Sequence, residues 1–248
     1  MSKYPLHIHD TAEALHHACA QRFAELATQA IAARGQFHVA LSGGTTPRSL
    51  YQRLATPQFA SRIDWRRVHV WFGDERTVPP DHPDSNYRMA RESLLDHVPI
   101  PPAQVHRIEA EKEGGADDYE ALLNEYIAAS ETAVPQFDLV LLGLGPDGHI
   151  ASLFPDTAIL RERDRLVAAV WVAKLNTWRI SLTLPVIDNA RHVLLLVAGT
   201  GKAEIVREIF TDAPRAVPYP VQMLAPAGAL EWHLDAAAAQ YLSREGAP

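Results

Sequence analysis

The sequence predicts an α/β protein with a doubly wound, mostly parallel sheet and helices on both faces. Short apolar stretches alternate along the chain with longer stretches of helical periodicity. One short stretch, Phe137 to Leu144 (FDLVLLGL), is almost entirely apolar. Such a run is typical of a strand buried on both faces of a parallel sheet. We therefore expect this strand to lie at the centre.

The chain has 248 residues, enough for one domain with a sizeable core. Its 47% hydrophobic and 21% charged residues are ordinary for a globular protein. It contains no fixed-period repeat, low-complexity tract or long linker. We therefore expect residues 1–248 to form a single domain.

The first half of the chain begins with a long amphipathic helix. Its periodicity extends from Ala12 to Arg34, with Asp10 or Thr11 as the N-cap and Gly35 at its end. Further elements predicted here are a strand over Phe37 to Leu41, a helix beginning near Arg48, a strand over Val68 to Phe72, a helix over Asn86 to Leu95, a short strand around Val105 to Ile108 and a helix over Asp117 to Ala129.

The second half follows the central apolar strand. Its predicted elements are strands over Leu166 to Val172, Ile180 to Leu184 and His192 to Ala198, a helix over Lys202 to Phe210, and a short strand and helix within Trp232 to Leu242. In doubly wound sheets, ligands bind beyond the carboxyl ends of the strands. The loops after Leu41, Phe72, Leu144 and Ala198 are therefore the candidates for function.

The composition limits the possible partners and the compartment. A formal net charge of −7 and a pI near 5.9 argue against a nucleic-acid or anionic-membrane surface. An anionic small molecule would need a local cluster of cations. The single cysteine, Cys19, lies on the apolar stripe of the first helix and has no disulfide partner. No apolar run suits a signal peptide or a membrane span, so we expect a cytoplasmic protein. The oligomeric state is left open.

The loop Ser42-Gly43-Gly44-Thr45 offers consecutive backbone N–H groups at a helix N-terminus. This arrangement suits a phosphate, because the glycines permit close approach and the helix dipole favours an anion. The alternative is a glycine turn that only reverses the chain. The loop lacks the GxxxxGK[ST] and GxGxxG patterns, which disfavours a nucleoside triphosphatase or a dinucleotide-binding protein.

Charged side chains follow the next strands. Arg76, in Gly73-Asp74-Glu75-Arg76, could bind phosphate oxygens with its guanidinium group. Asp74 is a further candidate for contact with the substrate. The alternative is a surface ion pair among Asp74, Glu75 and Arg76. Lys202 opens a later helix, and Arg179 and Lys174 flank a strand. These three could add positive charge to the same site or be solvated surface cations, which is the favoured interpretation for Lys174.

His149 stands out among the 12 histidines because it follows the most apolar strand within a glycine-rich segment, Gly145-Pro146-Asp147-Gly148-His149. We expect it near the start of a short helical turn at the ligand-binding edge. A neutral imidazole there can take a proton from water at physiological pH. Asp147 could orient the imidazole or the substrate, or only cap the turn.

Other catalytic templates do not match. The chain has no G-x-S-x-G elbow and no H-E-x-x-H motif, and one cysteine is too few for a cysteine-ligated zinc site. His7, His9, His16 and His17 are not a credible ligand set without supporting carboxylates, so we place them on the surface. No metal or organic cofactor is expected.

Several long segments together resemble the family of 6-phosphogluconolactonases. They are Leu41 to Tyr51 (LSGGTTPRSLY), Trp71 to Ala90 (WFGDERTVPPDHPDSNYRMA), Leu141 to Pro155 (LLGLGPDGHIASLFP), Arg179 to Pro185 (RISLTLP), Ala198 to Ile209 (AGTGKAEIVREI) and the ending ALEWHLDAAAAQYL. The resemblance implies hydrolysis of a phosphorylated sugar lactone with His149 as the catalytic base. It also places Ser42 to Thr45, Arg76, Arg179 and Lys202 near the phosphate and sugar.

The related glucosamine-6-phosphate isomerases share this fold. Their matching motif carries a glutamate just before the proline, where this chain has Phe154. An isomerase needs such a group to move protons, so the resemblance favours the lactonase. A sugar-phosphate isomerase and a non-catalytic sugar-phosphate sensor are the two alternatives. The presence of His149 in its full motif argues against the sensor.

Overall fold

The computed structural model describes residues 4–127, 134–210 and 217–242. In these ranges the strands are β1 (Leu6–His9), β2 (Phe37–Leu41), β3 (Val68–Phe72), β4 (Asp74–Arg76), β5 (Leu139–Gly143), β6 (Val167–Val172), β7 (Thr177–Leu182), β8 (His192–Val197) and β9 (Ala229–Asp235). The helices are α1 (Ala12–Arg34), α2 (Thr45–Leu54), α3 (Pro57–Ala60), α4 (Asn86–Ser93), α5 (Gly115–Ile127), α6 (Leu184–Asp188) and α7 (Ala203–Phe210).

Six strands form a parallel sheet in the order β1-β9-β8-β5-β2-β3. The predicted α/β class with a mostly parallel sheet is confirmed. From β2 the chain moves outward to β3 at one edge, whereas from β5 it moves through β8 and β9 toward the other. The strand order therefore reverses between β2 and β5. The carboxyl ends of these two strands border the crevice in which such sheets bind ligands.

The strand β5 forms the apolar centre of this sheet, as its sequence predicts. It lies between β2 and β8, and Leu139 to Leu142 are fully buried. Burying each such side chain stabilises the fold by about 1.5–3 kcal/mol relative to leaving it exposed. This rigid strand supports the loop that carries His149.

A second, antiparallel sheet of order β4-β7-β6 was not anticipated from the sequence. One residue, Gly73, separates its strand β4 from β3, and the Leu182 N–H donates to the Gly73 carbonyl oxygen at 2.9 Å. The small sheet is therefore attached at the carboxyl end of the parallel sheet. Its register places Arg76 directly opposite Arg179.

The helix α1 has the bounds that its periodicity predicts. The Thr11 hydroxyl accepts the Ala14 N–H at 3.1 Å, which makes Thr11 rather than Asp10 the N-cap. At the other end Gly35 adopts a left-handed φ of 81° and donates its N–H to the Ile31 carbonyl oxygen at 2.9 Å. Glycine tolerates this conformation without a steric cost.

Three predictions of strand and helix bounds are wrong. Val105 to Ile108 is not a strand: Val105 forms only an isolated bridge to Val70, directly after a 3-10 turn at Pro102–Gln104. The strand β7 begins at Thr177, where it pairs with β6, rather than at Ile180. It ends at Leu182, because Thr183 and Leu184 lead into α6, which has a proline in its first turn. After β9, residues 236–242 form turns rather than a helix.

One other predicted element extends beyond the described residues. Ala128 and Ala129, the last two residues of the helix expected over Asp117 to Ala129, lie outside them. Within the described ranges, no helix combines the length and the apolar character needed to cross a membrane. The single domain and the cellular location stay predictions.

Candidate active site

A pocket of about 310 Å³ lies at the carboxyl ends of β2, β5 and β8, with residues of β4 and β7 also lining it. It brings together nine of the ten residues that the sequence singles out, and the tenth, Asp147, lies behind His149. The nine are Ser42, Gly43, Gly44, Thr45, Asp74, Arg76, His149, Arg179 and Lys202. A larger cavity of about 590 Å³ near α4 and α5 contains none of these residues.

His149 is held by a short chain of polar contacts. Its Nδ1 lies 2.5 Å from Asp147 Oδ1, and the other carboxylate oxygen of Asp147 accepts a hydrogen bond from Lys174. A carboxylate only accepts, so a neutral His149 donates from Nδ1. Its Nε2 then carries the free lone pair. Burial alone would raise the pKa of Asp147, but the bonds from His149 and Lys174 hold that pKa below its ordinary value.

The imidazole of His149 is also fixed by packing. Its ring stacks on Phe154 with centroids 4.0 Å apart, and the Lys174 ammonium lies 4.7 Å from the centroid of the same phenyl ring. On the Gly145 side there is no room: a Cβ added there would lie 2.0 Å from His149 Nδ1. The glycine at position 145 thus permits the close approach of the imidazole.

The loop that carries His149 is irregular, and the short helical turn predicted there is wrong. Gly148 has a φ of 74°, which a turn of this kind requires, and Ala151 has a φ of 45°. A non-glycine residue in the left-handed region is strained, and such strain is often found at functional sites. Ala151 lines the pocket.

The glycine loop after β2 forms the N-terminal end of α2. Gly44 is the N-cap with a φ of 102°, and no side chain caps the helix. The first N–H groups of a helix have no partner within it, so those at this end can bind an anion. A Cβ at Gly43 would lie 2.0 Å from the Asn86 side-chain oxygen, so this glycine also allows a close contact.

The backbone and the hydroxyl of Ser42 form hydrogen bonds within the protein. Its backbone N–H donates to the Tyr51 hydroxyl at 2.9 Å, and that hydroxyl donates to the Ser42 carbonyl oxygen at 2.8 Å. The Ser42 hydroxyl accepts the Gly143 N–H at 3.3 Å. Ser42 therefore ties the ends of β2 and β5 together at the pocket.

Two guanidinium groups face each other across the small sheet. Arg76 and Arg179 are cross-strand partners, and the Nε atoms of both are buried without a hydrogen-bond partner. Burial and the charge of Arg76 lower the pKa of Arg179. Like charges at this spacing repel, and an anion between them relieves the repulsion. Burial also lowers the pKa of Lys202, which lines the same pocket.

The two carboxylates beside Arg76 are buried, so the surface ion pair considered above is wrong. Asp74 accepts hydrogen bonds from Ser152 Oγ at 2.6 Å and from Asn86 Nδ2 at 3.2 Å. Glu75 accepts the backbone N–H groups of Asn86 and Tyr87 at the start of α4. Burial raises the pKa of Glu75.

Lys174 and Asn86 are residues of this site that sequence reasoning did not select. Lys174 was expected on the surface, and the contact with Asp147 depends on the hairpin between β6 and β7. Asn86 was seen only as the start of a helix. No local signal identifies either one, because each acts on a residue that other elements bring near.

Comparison with known proteins supports one family. The model of the glucosamine-6-phosphate isomerases/6-phosphogluconolactonase family matches residues 10–232. The chain belongs to this family. A 6-phosphogluconolactonase from Synechocystis sp. is 46% identical over 220 residues, which cover 87% of this chain and 88% of the relative.

Solved structures of the glucosamine-6-phosphate isomerase/6-phosphogluconolactonase family share the fold. The 6-phosphogluconolactonase from Trypanosoma cruzi superposes with a TM-score of 0.86 at 31% identity and covers 98% of both chains. A monomeric glucosamine-6-phosphate deaminase superposes with a TM-score of 0.77 at 19% identity, covering 95% of this chain and 99% of its own. This second likeness supports the fold alone.

Proposed function

We propose that the protein hydrolyses 6-phospho-D-glucono-1,5-lactone to 6-phospho-D-gluconate, a step of the oxidative pentose phosphate pathway. The observation that carries the proposal is the Asp147–His149 pair in a pocket that the guanidinium-bearing residues Arg76 and Arg179 also line. A base and an anion-binding cluster in one pocket suit a neutral ester with a phosphate group. The similarity to the lactonase from Synechocystis sp. adds support.

The phosphate is the group that anchors the substrate. Arg76 and Arg179 offer guanidinium groups, Lys202 adds an ammonium, and the start of α2 offers backbone N–H groups. Charge-assisted contacts of this kind contribute about 1.5–3 kcal/mol each. The protein carries a net charge of −7, so this local cluster, rather than the overall field, attracts the dianion.

His149 acts as the general base. Its Nε2 takes a proton from a water molecule, and the water oxygen attacks the lactone carbonyl carbon to give a tetrahedral oxyanion. Asp147 stabilises the resulting imidazolium and holds the ring. The imidazolium then returns the proton to the ring oxygen as the C–O bond breaks. A positioned base contributes about 10²–10⁴-fold, and backbone N–H groups of the glycine loops stabilise the oxyanion.

A δ-lactone is a reactive ester, so this step needs less lowering of the barrier than peptide hydrolysis does. Positioning and one base suffice, and the proposal includes no metal or organic cofactor. The amino-sugar isomerisation of related family members would need a further acid/base beside the histidine. Phe154 occupies that place and is stacked on the imidazole, with 4% of its surface exposed.

The decisive experiment is a coupled assay. Glucose-6-phosphate dehydrogenase generates the lactone, and acid release is followed above the spontaneous rate. Rapid, saturable acid release is expected. Ammonia release from glucosamine 6-phosphate is measured in parallel, and none is expected. Turnover of the amino sugar without lactone hydrolysis would refute the proposal, and binding of both compounds without turnover would indicate a sensor.

A further inference from the structure

Three side chains with metal-binding atoms meet on the parallel sheet, outside the pocket. They are His7 on β1 and Glu231 and His233 on β9, and one potential ligand atom from each lies within 4.8 Å of the others. His7 and His233 are partners in the register of the two parallel strands. Glu231 is two residues from His233, so it projects from the same face of β9.

The ring of His233 contains a buried nitrogen without a partner. His233 is 5% exposed, and its Nε2 has no hydrogen bond to any residue that the structure describes. The nearest carboxylate oxygen, Glu231 Oε2, lies 3.6 Å away, which is too far for a hydrogen bond. Buried polar atoms of this kind are normally satisfied. A cation between the ring nitrogen and the carboxylate would satisfy both.

Neighbouring groups orient these atoms as the outer ligands of metal sites do. His233 Nδ1 lies 3.1 Å from His9 Nε2. When His9 accepts the proton of His233 Nδ1 in this contact, the lone pair of His233 is at Nε2. Metal-binding histidines commonly donate their other ring N–H in this way.

The carboxylate of Glu231 is oriented from the opposite side. Arg22, on α1, donates two hydrogen bonds to Oε1, at 2.6 Å and 3.1 Å. These bonds hold the carboxylate and leave Oε2 toward His233. The ring of His7 lies beside this cluster, stacked on His233 with ring centroids 4.8 Å apart.

We propose that His7, Glu231 and His233 bind one divalent transition-metal ion of the zinc class. Two imidazole nitrogens and one carboxylate oxygen suit Zn²⁺, whereas Mg²⁺ and Ca²⁺ prefer oxygen ligands alone. Ligand atoms on one tetrahedral Zn²⁺ lie about 3.4 Å apart, given bonds of about 2.0–2.1 Å. His7 is exposed and stacked on His233, so rotation of its side chain can close the remaining gap. Water completes the coordination.

Such an ion would fasten the edge strand β1 to β9. Its expected role is structural, because none of the three ligands lines the candidate active site. The sequence places His7 on the surface because it shows no carboxylate that completes a ligand set. The structure supplies Glu231 for this role, because the pairing of β1 with β9 brings it near His7. This proposal is independent of the proposed hydrolysis.

The test uses the full chain after dialysis against a chelator. Zn²⁺ is titrated by calorimetry, Co²⁺ is followed by its visible absorption, and the unfolding temperature is measured with and without Zn²⁺. We expect one ion per chain, a rise of several degrees in the unfolding temperature, and no change in lactone turnover. His7→Asn should weaken Zn²⁺ binding at least tenfold and abolish the rise. His97→Asn, an exposed histidine elsewhere, should change neither.

Several results would overturn this proposal. One is the absence of Zn²⁺ binding at micromolar concentrations. Another is unchanged binding in both His7→Asn and Glu231→Gln, the second of which keeps an acceptor for Arg22. An ion shared between two chains, or equal stabilisation by Mg²⁺, would also contradict a three-ligand site within one chain.

Discussion

At the scale of single residues, the orientation of one imidazole determines the proposed chemistry. Asp147 fixes Nδ1 of His149, Phe154 covers one face of the ring, and Gly145 leaves the space that the ring occupies. The tautomer is assigned from the hydrogen bond to Asp147. These contacts make Nε2 the nitrogen available to water.

Replacing His149 by asparagine should remove most of the lactone turnover, by about 10²–10⁴-fold. Asparagine can still bond to Asp147 but cannot take a proton from water. Product binding should stay nearly intact, because the imidazole is not an anchor of the phosphate. Steady-state kinetics and calorimetry with 6-phosphogluconate measure the two effects, and His97→Asn is the control. A variant with near wild-type kcat would show that another group is the base.

The phosphate should matter for catalysis as well as affinity, because its binding energy holds the carbonyl carbon near His149. Glucono-δ-lactone without phosphate should have a kcat/KM lower by about 10²-fold or more, if two contacts of about 1.5–3 kcal/mol are lost. Arg76→Gln and Lys202→Gln should harm the phosphorylated substrate selectively, whereas the exposed Arg66→Gln should not. Equal losses on both lactones would show that these cations do not bind the phosphate.

At the scale of elements, prediction succeeded where the signals are local. The helix α1 and the strands β2 and β3 have the predicted bounds, because caps, glycines and periodicity mark them. The strands β1 and β4 were missed because they have four and three residues, too few for a periodic pattern. These two segments adopt the strand conformation only because they pair with strands that are distant in the sequence. The same reason explains why the second sheet was not foreseen.

The loop after β5 tests how closely the site is packed. Gly145→Ala should lower kcat at least tenfold, because a Cβ there lies 2.0 Å from His149 Nδ1 and must displace the ring from Asp147. Gly201→Ala is the matched control, since a Cβ at that position meets no atom within 4 Å. Circular dichroism and thermal unfolding should show that both variants fold. Unchanged kcat in Gly145→Ala would mean that the ring position is not critical.

The hairpin between β6 and β7 places Lys174 beside Asp147, which is 27 residues away in the sequence. Lys174→Gln should lower kcat/KM by about twofold to fivefold. The effect is modest because the Lys174 side chain is 48% exposed, and solvent weakens such pairs to about 1 kcal/mol or less. Comparing this variant with His149→Asn and the double variant measures the coupling. Additive effects would show that Lys174 does not act through His149.

At the scale of the whole molecule, a row of stacked rings links β2 and β3. Trp71 Nε1 donates to His38 Nδ1 at 3.1 Å, and the rings of His38 and His69 stack 4.7 Å apart. His106 stacks on Trp71 at 3.9 Å. Burial, followed by the charge of His69, lowers the pKa of His38 to about 3 and that of His106 to about 4.

Acid should therefore destabilise the fold already at pH values above those at which carboxylates titrate. Below pH 6.5, His38 and His106 bind protons in the unfolded chain but stay unprotonated in the folded protein. The free energy of unfolding therefore falls as the pH falls toward 4. Each excess proton gives a slope of about 1.4 kcal/mol per pH unit. Urea unfolding between pH 7 and pH 5 measures it. His38→Asn, which keeps an acceptor for Trp71, should flatten the slope, and an unchanged slope would exclude His38 as its source.

The pairing of β1 with β9 has a consequence for how the chain acquires its structure. The earliest strand finds its partner only when residues 229–235 are available, after more than two hundred residues have been synthesised. Until then β8 (HVLLLV) is the border of the growing sheet. An unpaired apolar strand is a template for aggregation. During translation, β8 therefore stays an unpaired edge strand until β9 is synthesised and pairs with it. The chain has the greatest need of chaperones in the interval before that pairing.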